Sequence, residues 1–261
     1  MKTKKWDCGK IKGTVHAVLS DETLTISGAG EIMDYEGRNF VLERAIEEND
    51  PEVSAPWWYD GITNVVIEEG VTSIGGNAFS GCRYLNSVII PNSVISIGYC
   101  AFFYCLELAS VTIPDSVTYI GDSAFAHCSE LTSVTIPKGV TAIKSDTFSY
   151  CSNLTSVNIP DGVTSIEEYA FNVCCNLISV TIPNGVISIG ECAFSDCDGL
   201  TSVISLNPAP SDIESDTFDD LPKNATLYVP KGSIEVYRNK EGWKKFKNIQ
   251  EDVPQQRRKD G

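Results

Sequence analysis

Between Leu85 and Gly199 the chain writes nearly the same 23-residue line five times. The openings are Leu85-Asn-Ser-Val-Ile-Ile-Pro, Leu108-Ala-Ser-Val-Thr-Ile-Pro, Leu131-Thr-Ser-Val-Thr-Ile-Pro, Leu154-Thr-Ser-Val-Asn-Ile-Pro and Leu177-Ile-Ser-Val-Thr-Ile-Pro. A leading copy starts at Ile62 and a degenerate one at Leu200. A fixed period in the twenties is the signature of a solenoid, in which each unit contacts only its neighbours. Such a stack offers a long regular surface and no deep pocket, which favours binding over catalysis.

Counted from the leucine, positions 1, 4, 6, 10, 13, 17, 18 and 21 are apolar or small; in one unit these are Leu131, Val134, Ile136, Val140, Ile143, Thr147, Phe148 and Cys151. Val134-Thr135-Ile136 alternates with period two and is β-branched, so it predicts a short strand with one buried face. Pro137 and Gly139 end it, because proline cannot donate to a ladder and glycine permits a turn. Residues 140–143 predict a second short extended piece. Residues 146–151 are too few for a free helix and are expected to form one helical or 3₁₀ turn that buries positions 17, 18 and 21. One unit cannot cover its own apolar side. At roughly 1.5–3 kcal/mol per large buried side chain, stacking offsets the ordering cost only when both neighbours are present.

The line Leu-Thr-Ser-Val-Thr-Ile-Pro followed by Gly-Val-Thr-Ser-Ile and Ala-Phe resembles the leucine-rich repeat of the BspA-like bacterial surface proteins. The resemblance runs through about 62–222 and reaches Leu24–Glu31, Ala55–Tyr59, Thr226–Ser233 and Glu241–Ile249. It implies a right-handed β-rich superhelix of short parallel strands, surface display, and adhesion to host, neighbouring-cell or matrix proteins. The expected organisation is an N-terminal β cap with a loop over 1–61, repeats over 62–222, a helical cap over 223–249 and a polar tail over 250–261. The hairpin is placed at Val15–Leu19 and Thr23–Ser27, an acidic helix or mobile loop at Glu43–Glu52, a packed segment at Pro56–Tyr59, and a helical lid over Gly232–Ile249.

Charge and cysteines narrow the function further. The net charge is −15, and residues 62–199 hold 3 Lys/Arg against 13 Asp/Glu, whereas 223–261 hold 10 against 5. An acidic body repels nucleic acid and anionic membranes; the basic end reads as a solvated cap face. Of 10 cysteines, Cys82, Cys105, Cys128, Cys151, Cys174 and Cys197 recur at position 21 and form one column. Parallel side chains one strand spacing apart suit packing better than disulfides, although Cys100 with Cys105, or Cys192 with Cys197, could be bridged across one turn. No Cys-x-x-Cys pair is present and the only histidines are His16 and His127, which argues against a closed zinc site. Met1–Trp6 is basic without an apolar stretch behind it, so it does not read as a signal peptide, and no segment approaches the length of a membrane span. The expected address, extracellular or cell surface, therefore rests on the resemblance and on taking the chain as a mature part of a longer product.

Catalytic groups do not assemble in the sequence: the hydroxyls recur for solvation, and His127 has no indicated partner. No cofactor is expected. Asp196 and Asp198, and the cluster Asp212, Glu214, Asp216, Asp219 and Asp220, read as solvated turn charges or a weak cation site. Two surfaces remain. The first is the strand face, a hydroxyl ladder including Ser87, Thr112, Thr135 and Asn158, apolar only near its ends at Val66, Ile89 and Ile204. The second is an aromatic stripe at positions 19 and 20, Phe103, Tyr104, His127 and Tyr150, flanked by Tyr99 and Tyr119. These predict a non-enzymatic, monomeric module that binds an extracellular protein or glycoprotein; a structural spacer and a glycan-binding module are the alternatives.

Overall fold

The computed structural model describes residues 3–36, 55–57 and 61–251. The expected loop or helix at 43–52, Trp58, Tyr59 and the tail beyond 251 lie outside the described residues. The rest winds into a parallel-strand β-solenoid of about eight turns with little helix. Each coil contributes two short ladders. At positions 3–5, Asn64–Ile67 pairs in parallel with Ser87–Ile89, and Ser133–Thr135 begins a second run through Ser156–Asn158, Ser179–Ile182, Ser202–Ser205 and Thr226–Val229. At positions 12–13, pairs such as Ala142–Ile143 with Ser165–Ile166 line the second side. The register is offset by 23 residues, as in Val134 opposite Val157. The Leu108 unit departs from expectation, because Ser110–Thr112 forms no strand and splits the first ladder in two.

The third side is not the helical or 3₁₀ turn expected at positions 16–21. It is a run of tight turns with a left-handed residue at position 16 and another at position 20. The backbone hydrogen bonds explain why this geometry repeats. The amides of positions 17, 19 and 21 fold back within the coil, as Ala78 to Gly75 O, Ser80 to Asn77 O and Cys82 to Phe79 O. Those of positions 16, 18 and 20 donate to the next coil, as Asn77 to Tyr99 O, Phe79 to Ala101 O and Gly81 to Phe103 O. A regular helix would turn every amide along its own axis. Alternating left-handed residues aim every second one across the stack, so neighbouring coils share the pairing.

Inside, position 18 forms a continuous aromatic column. Phe79, Phe102, Phe125, Phe148, Phe171, Phe194 and Phe218 stack with centroids 5.2–5.7 Å apart and planes within 18°. Phe218 joins although it falls one residue late, because the last unit carries one extra residue and its register offset is 24, Ser202 opposite Thr226. Beside it runs the cysteine column, fully or nearly fully buried and free throughout; all ten thiols are unbridged, Cys100 with Cys105 and Cys192 with Cys197 included. Each thiol from Cys105 onward donates to the position-18 carbonyl of the preceding coil, as Cys105 Sγ to Phe79 O at 3.3 Å. Burial pushes Cys82, Cys151 and Cys197 up to about 12, so these thiols are inert.

Different chemistry closes the two ends. At the N-terminal side, Val15–Ser20 and Thr23–Gly28 form the expected antiparallel hairpin, with a further strand, Lys4–Asp7, paired outside it; Thr23–Gly28 then runs parallel to Asn64–Ile67. Trp57 sits on the end of the phenylalanine column, 6.1 Å from Phe79, with Trp6 and Tyr35 edge-on against it. Its Nε1–H donates to Ala78 O at 3.0 Å. At the C-terminal side Trp243 and Phe246 cover Phe218. The helical lid expected over Gly232–Ile249 is instead one short helix, Ile234–Arg238, a 3₁₀ turn at Trp243–Lys245, and a strand, Asn248–Glu251, that adds in parallel to Thr226–Val229. Gln250 and Glu251 therefore belong to a sheet and not to a tail. Lys240 pairs with Asp212 and Lys245 with Asp219, so part of the basic end complements the acids of the last coil.

The aromatic column makes a quantitative prediction. Phe125→Ala, in mid-stack and fully buried, is expected to cost about 3–5 kcal/mol in urea unfolding; a loss under 1 kcal/mol would show that the column is not a principal source of stability.

Candidate interaction surfaces

The predicted residues fall into two separate places. On the strand face Ser87, Thr112, Thr135 and Asn158 are exposed. Ser87 Oγ donates to Asn64 Oδ1 at 2.7 Å. Thr135 and Asn158 meet in a shallow trough of about 380 Å³, bordered by Asp115, Lys138 and Asp161. The neighbouring hydroxyls at position 2 are committed to the scaffold, as Thr155 Oγ1 to Thr132 O at 3.0 Å. One apolar end of the ladder is lost: Ile204 is buried, in register with Tyr228 of Thr226–Val229, whereas Ile89 is exposed. Ser205, which replaces the usual buried isoleucine, is fully buried and bonds the Tyr237 hydroxyl at 2.6 Å. Since that hydroxyl donates to Asn207 O, Ser205 is the donor to Tyr237.

The aromatic stripe assembles. Tyr104 and His127 stack with centroids 4.4 Å apart and 25° between planes; His127 and Tyr150 stack at 4.3 Å and 10°. Phe103 packs on Tyr104 at 4.9 Å and edge-on to His127 at 5.5 Å. Tyr150 is exposed, and Phe103, Tyr104 and His127 are half-buried. The histidine that lacked a partner in the sequence is thus sandwiched between two phenols, and that burial lowers its pKa below the ordinary value. Tyr99 does not join the row. Its ring lies over Gly76, where a Cβ would meet Tyr99 Cε1 at 2.3 Å, and its hydroxyl donates to Tyr35 O. It staples the N-terminal segment to the coils.

The backbone beneath the row is unusual. Tyr104, His127, Tyr150 and Val173 have φ of 60°, 60°, 58° and 57°. Glycine occupies the same position at Gly81 and aspartate at Asp196. Left-handed backbone costs roughly 1–2 kcal/mol for a residue with a bulky Cβ and little for glycine or asparagine. Three coils therefore carry large rings where the scaffold itself prefers a small residue. Ring stacking recovers about 0.5–1.5 kcal/mol per pair, so the two stacked pairs return about half of that cost. Position 16 is left-handed too, as at Asn77 and Asp146; that asparagine and aspartate were the sequence signal for this geometry.

Elsewhere, among the described residues, Asp196 and Asp198 gather no ligand set. Among the described residues, Glu191, Cys192 and Asp216 form a group with ligand atoms within 4.8 Å of one another, beside a trough of about 630 Å³ on the second side. Tyr169 donates its hydroxyl to Glu191, so that carboxylate already serves the surface.

A stack of 23-residue coils with a phenylalanine and a cysteine column is one structural type, and the sequence agrees. Residues 57–177 and 166–249 match the BspA type leucine-rich repeat region, in 6 copies. The chain belongs to this family. A leucine-rich cell surface protein of Faecalibacterium prausnitzii A2-165 is similar in structure at a TM-score of 0.59 and 29% identity, over 84% of this chain and 69% of that one. A leucine-rich repeat protein of T. pallidum aligns at 0.52 and 26%, covering 69% of this chain and 83% of its own. One from Bacteroides ovatus, at 0.50 and 20% over 93% and 76%, shares the fold. No curated protein matches the chain. Among the described residues of this BspA-type chain no helix is long and apolar enough to cross a membrane.

Two measurements test the geometry of the row. Val173→Asn keeps the left-handed backbone with a residue that tolerates it, and is expected to raise stability by about 0.5–1 kcal/mol; a loss of stability would refute the strain argument. In an NMR titration His127 is expected to titrate below the usual imidazole value near 6.5, and Tyr104→Ser with Tyr150→Ser should return it toward that value. No return would mean that the flanking rings are not the cause of its desolvation.

Proposed function

We propose that this BspA-type chain is a non-enzymatic protein-binding module displayed outside a bacterial cell, which adheres to host or matrix proteins through its extended surface. The observation that supports it most is the Tyr104–His127–Tyr150 row. Strained backbone retained under large, partly exposed rings is a mark of residues kept for contact, and aromatic residues dominate binding hot spots. The strand face supplies weaker polar contacts around Thr135 and Asn158, so a single chain binds as a monomer with modest affinity and gains strength from multivalent display. A surface address is in keeping with the family and with the cell surface protein it resembles. A glycan platform is less well supported, since sugars stack on ring faces and here both faces of His127 and one face each of Tyr104 and Tyr150 are taken by stacking.

The test is capture of immobilised extracellular-matrix proteins and of a glycan array by the purified chain at physiological salt. The expected result is protein capture that Tyr104→Ser with Tyr150→Ser reduces about tenfold or more, equivalent to roughly 1.4 kcal/mol, with little change in melting temperature. Unchanged capture in the double variant would remove the row from the binding surface. Binding to glycans alone, or to nothing, would favour the glycan or the spacer reading.

A further inference from the structure

The aromatic row has a charged setting as well as a shape. At one end the Arg83 guanidinium carbon lies 5.8 Å from the centroid of the Tyr104 ring, so the row already accommodates a cation over its terminal phenol. At the other end Tyr150 is 45% exposed and is followed in the next coil by Val173 instead of another ring. Two carboxylates follow the row closely in sequence. Glu107 and Glu130, both exposed, stand three residues beyond Tyr104 and His127. Positive charge is scarce around them. Residues 62–199 hold only Arg83, Lys138 and Lys144 against 13 acids, and Lys144 is paired with Glu167 at 2.8 Å. Burial between the phenols also disfavours a charge on His127.

We propose that the partner segment docked by this row is basic: an arginine- or lysine-rich stretch of polypeptide. One of its cations takes the Tyr150 end as Arg83 takes the Tyr104 end, and others meet Glu107 and Glu130. This rests on the protein-binding reading above and adds the chemistry of the partner. Exposed rings on an acidic body attract guanidinium and ammonium groups through the ring quadrupole and through Coulomb attraction together. The same surface repels nucleic acid, anionic lipid and acidic proteins.

The experiment titrates nona-arginine, nona-lysine and nona-glutamate into the whole chain at two salt concentrations, followed by calorimetry and by NMR shifts. The basic peptides are expected to bind, to shift Tyr104, His127 and Tyr150, and to weaken as salt screens the carboxylates. Tyr150→Ser is expected to lower affinity about three- to tenfold without loss of the native spectrum, and Glu107→Gln with Glu130→Gln to lower it further. Glu191→Gln with Glu214→Gln, on the second side, should leave it unchanged. Equal binding of nona-glutamate overturns the proposal. So do shifts confined to the Glu191 and Glu214 trough with no effect of Tyr150→Ser. If no basic peptide binds while the tyrosine variants still abolish capture of a matrix protein, the docking role stands and the charge preference falls. If the variants change neither measurement, both fall.

Discussion

The structure depends on contact between each coil and the next, and position 18 is where that contact is concentrated. A phenylalanine there stacks on its counterparts above and below, its carbonyl receives the thiol of the following coil, and its amide donates to that coil's backbone. Side-chain burial and backbone hydrogen bonding are therefore satisfied by the same neighbour. Neither can be completed by an isolated unit. This is why the caps are built from the bulkiest residues in the chain: Trp57 and Trp243 each replace a missing phenylalanine and use an indole N–H to satisfy a backbone carbonyl at the open end of the stack.

The surface inherits its properties from the same constraint. To send alternate amides across the stack, the turn side must place left-handed residues at positions 16 and 20. Glycine, asparagine or aspartate would serve that backbone at least cost. The rings at Tyr104, His127 and Tyr150 lie outside the core, and mutual stacking at the surface offsets only part of what they cost the main chain. Packing explains the scaffold; for these three residues it leaves part of the backbone cost unmatched.

Much of the scaffold was legible in the sequence because five copies average out local noise. Leu131, Val134, Ile136 and Phe148 are buried as the repeat implies, and Cys105, Cys128 and Cys151 form the expected column. What the pattern concealed was conformation. Tyr104 and Val173 carry no sign of left-handed backbone, and only the column Gly81, Tyr104, His127, Tyr150, Val173, Asp196, read across coils, contains the hint. The C-terminal strand was hidden for another reason. Asn248–Glu251 is short, polar and paired with residues about twenty positions away, while Tyr237, Trp243 and Phe246 mimic a helical spacing that their turns happen to share. The aromatic stripe was visible as a set of residues at one position. Its internal stacking, and the neutrality this favours for His127, follow only from the distance between coils.

The one-residue excess in the last unit has a consequence for how such proteins vary in length. Every coil before it presents the same buried set at the same offset, so a unit could be gained or lost with both of its neighbours still matched. The final unit cannot be exchanged in this way, because its offset of 24 and its Ser205–Tyr237 bond fit only the closing segment. Growth is confined to the interior. The reach of the molecule and the number of rungs bearing aromatic residues can thus drift independently, while the termini that protect the core stay as they are.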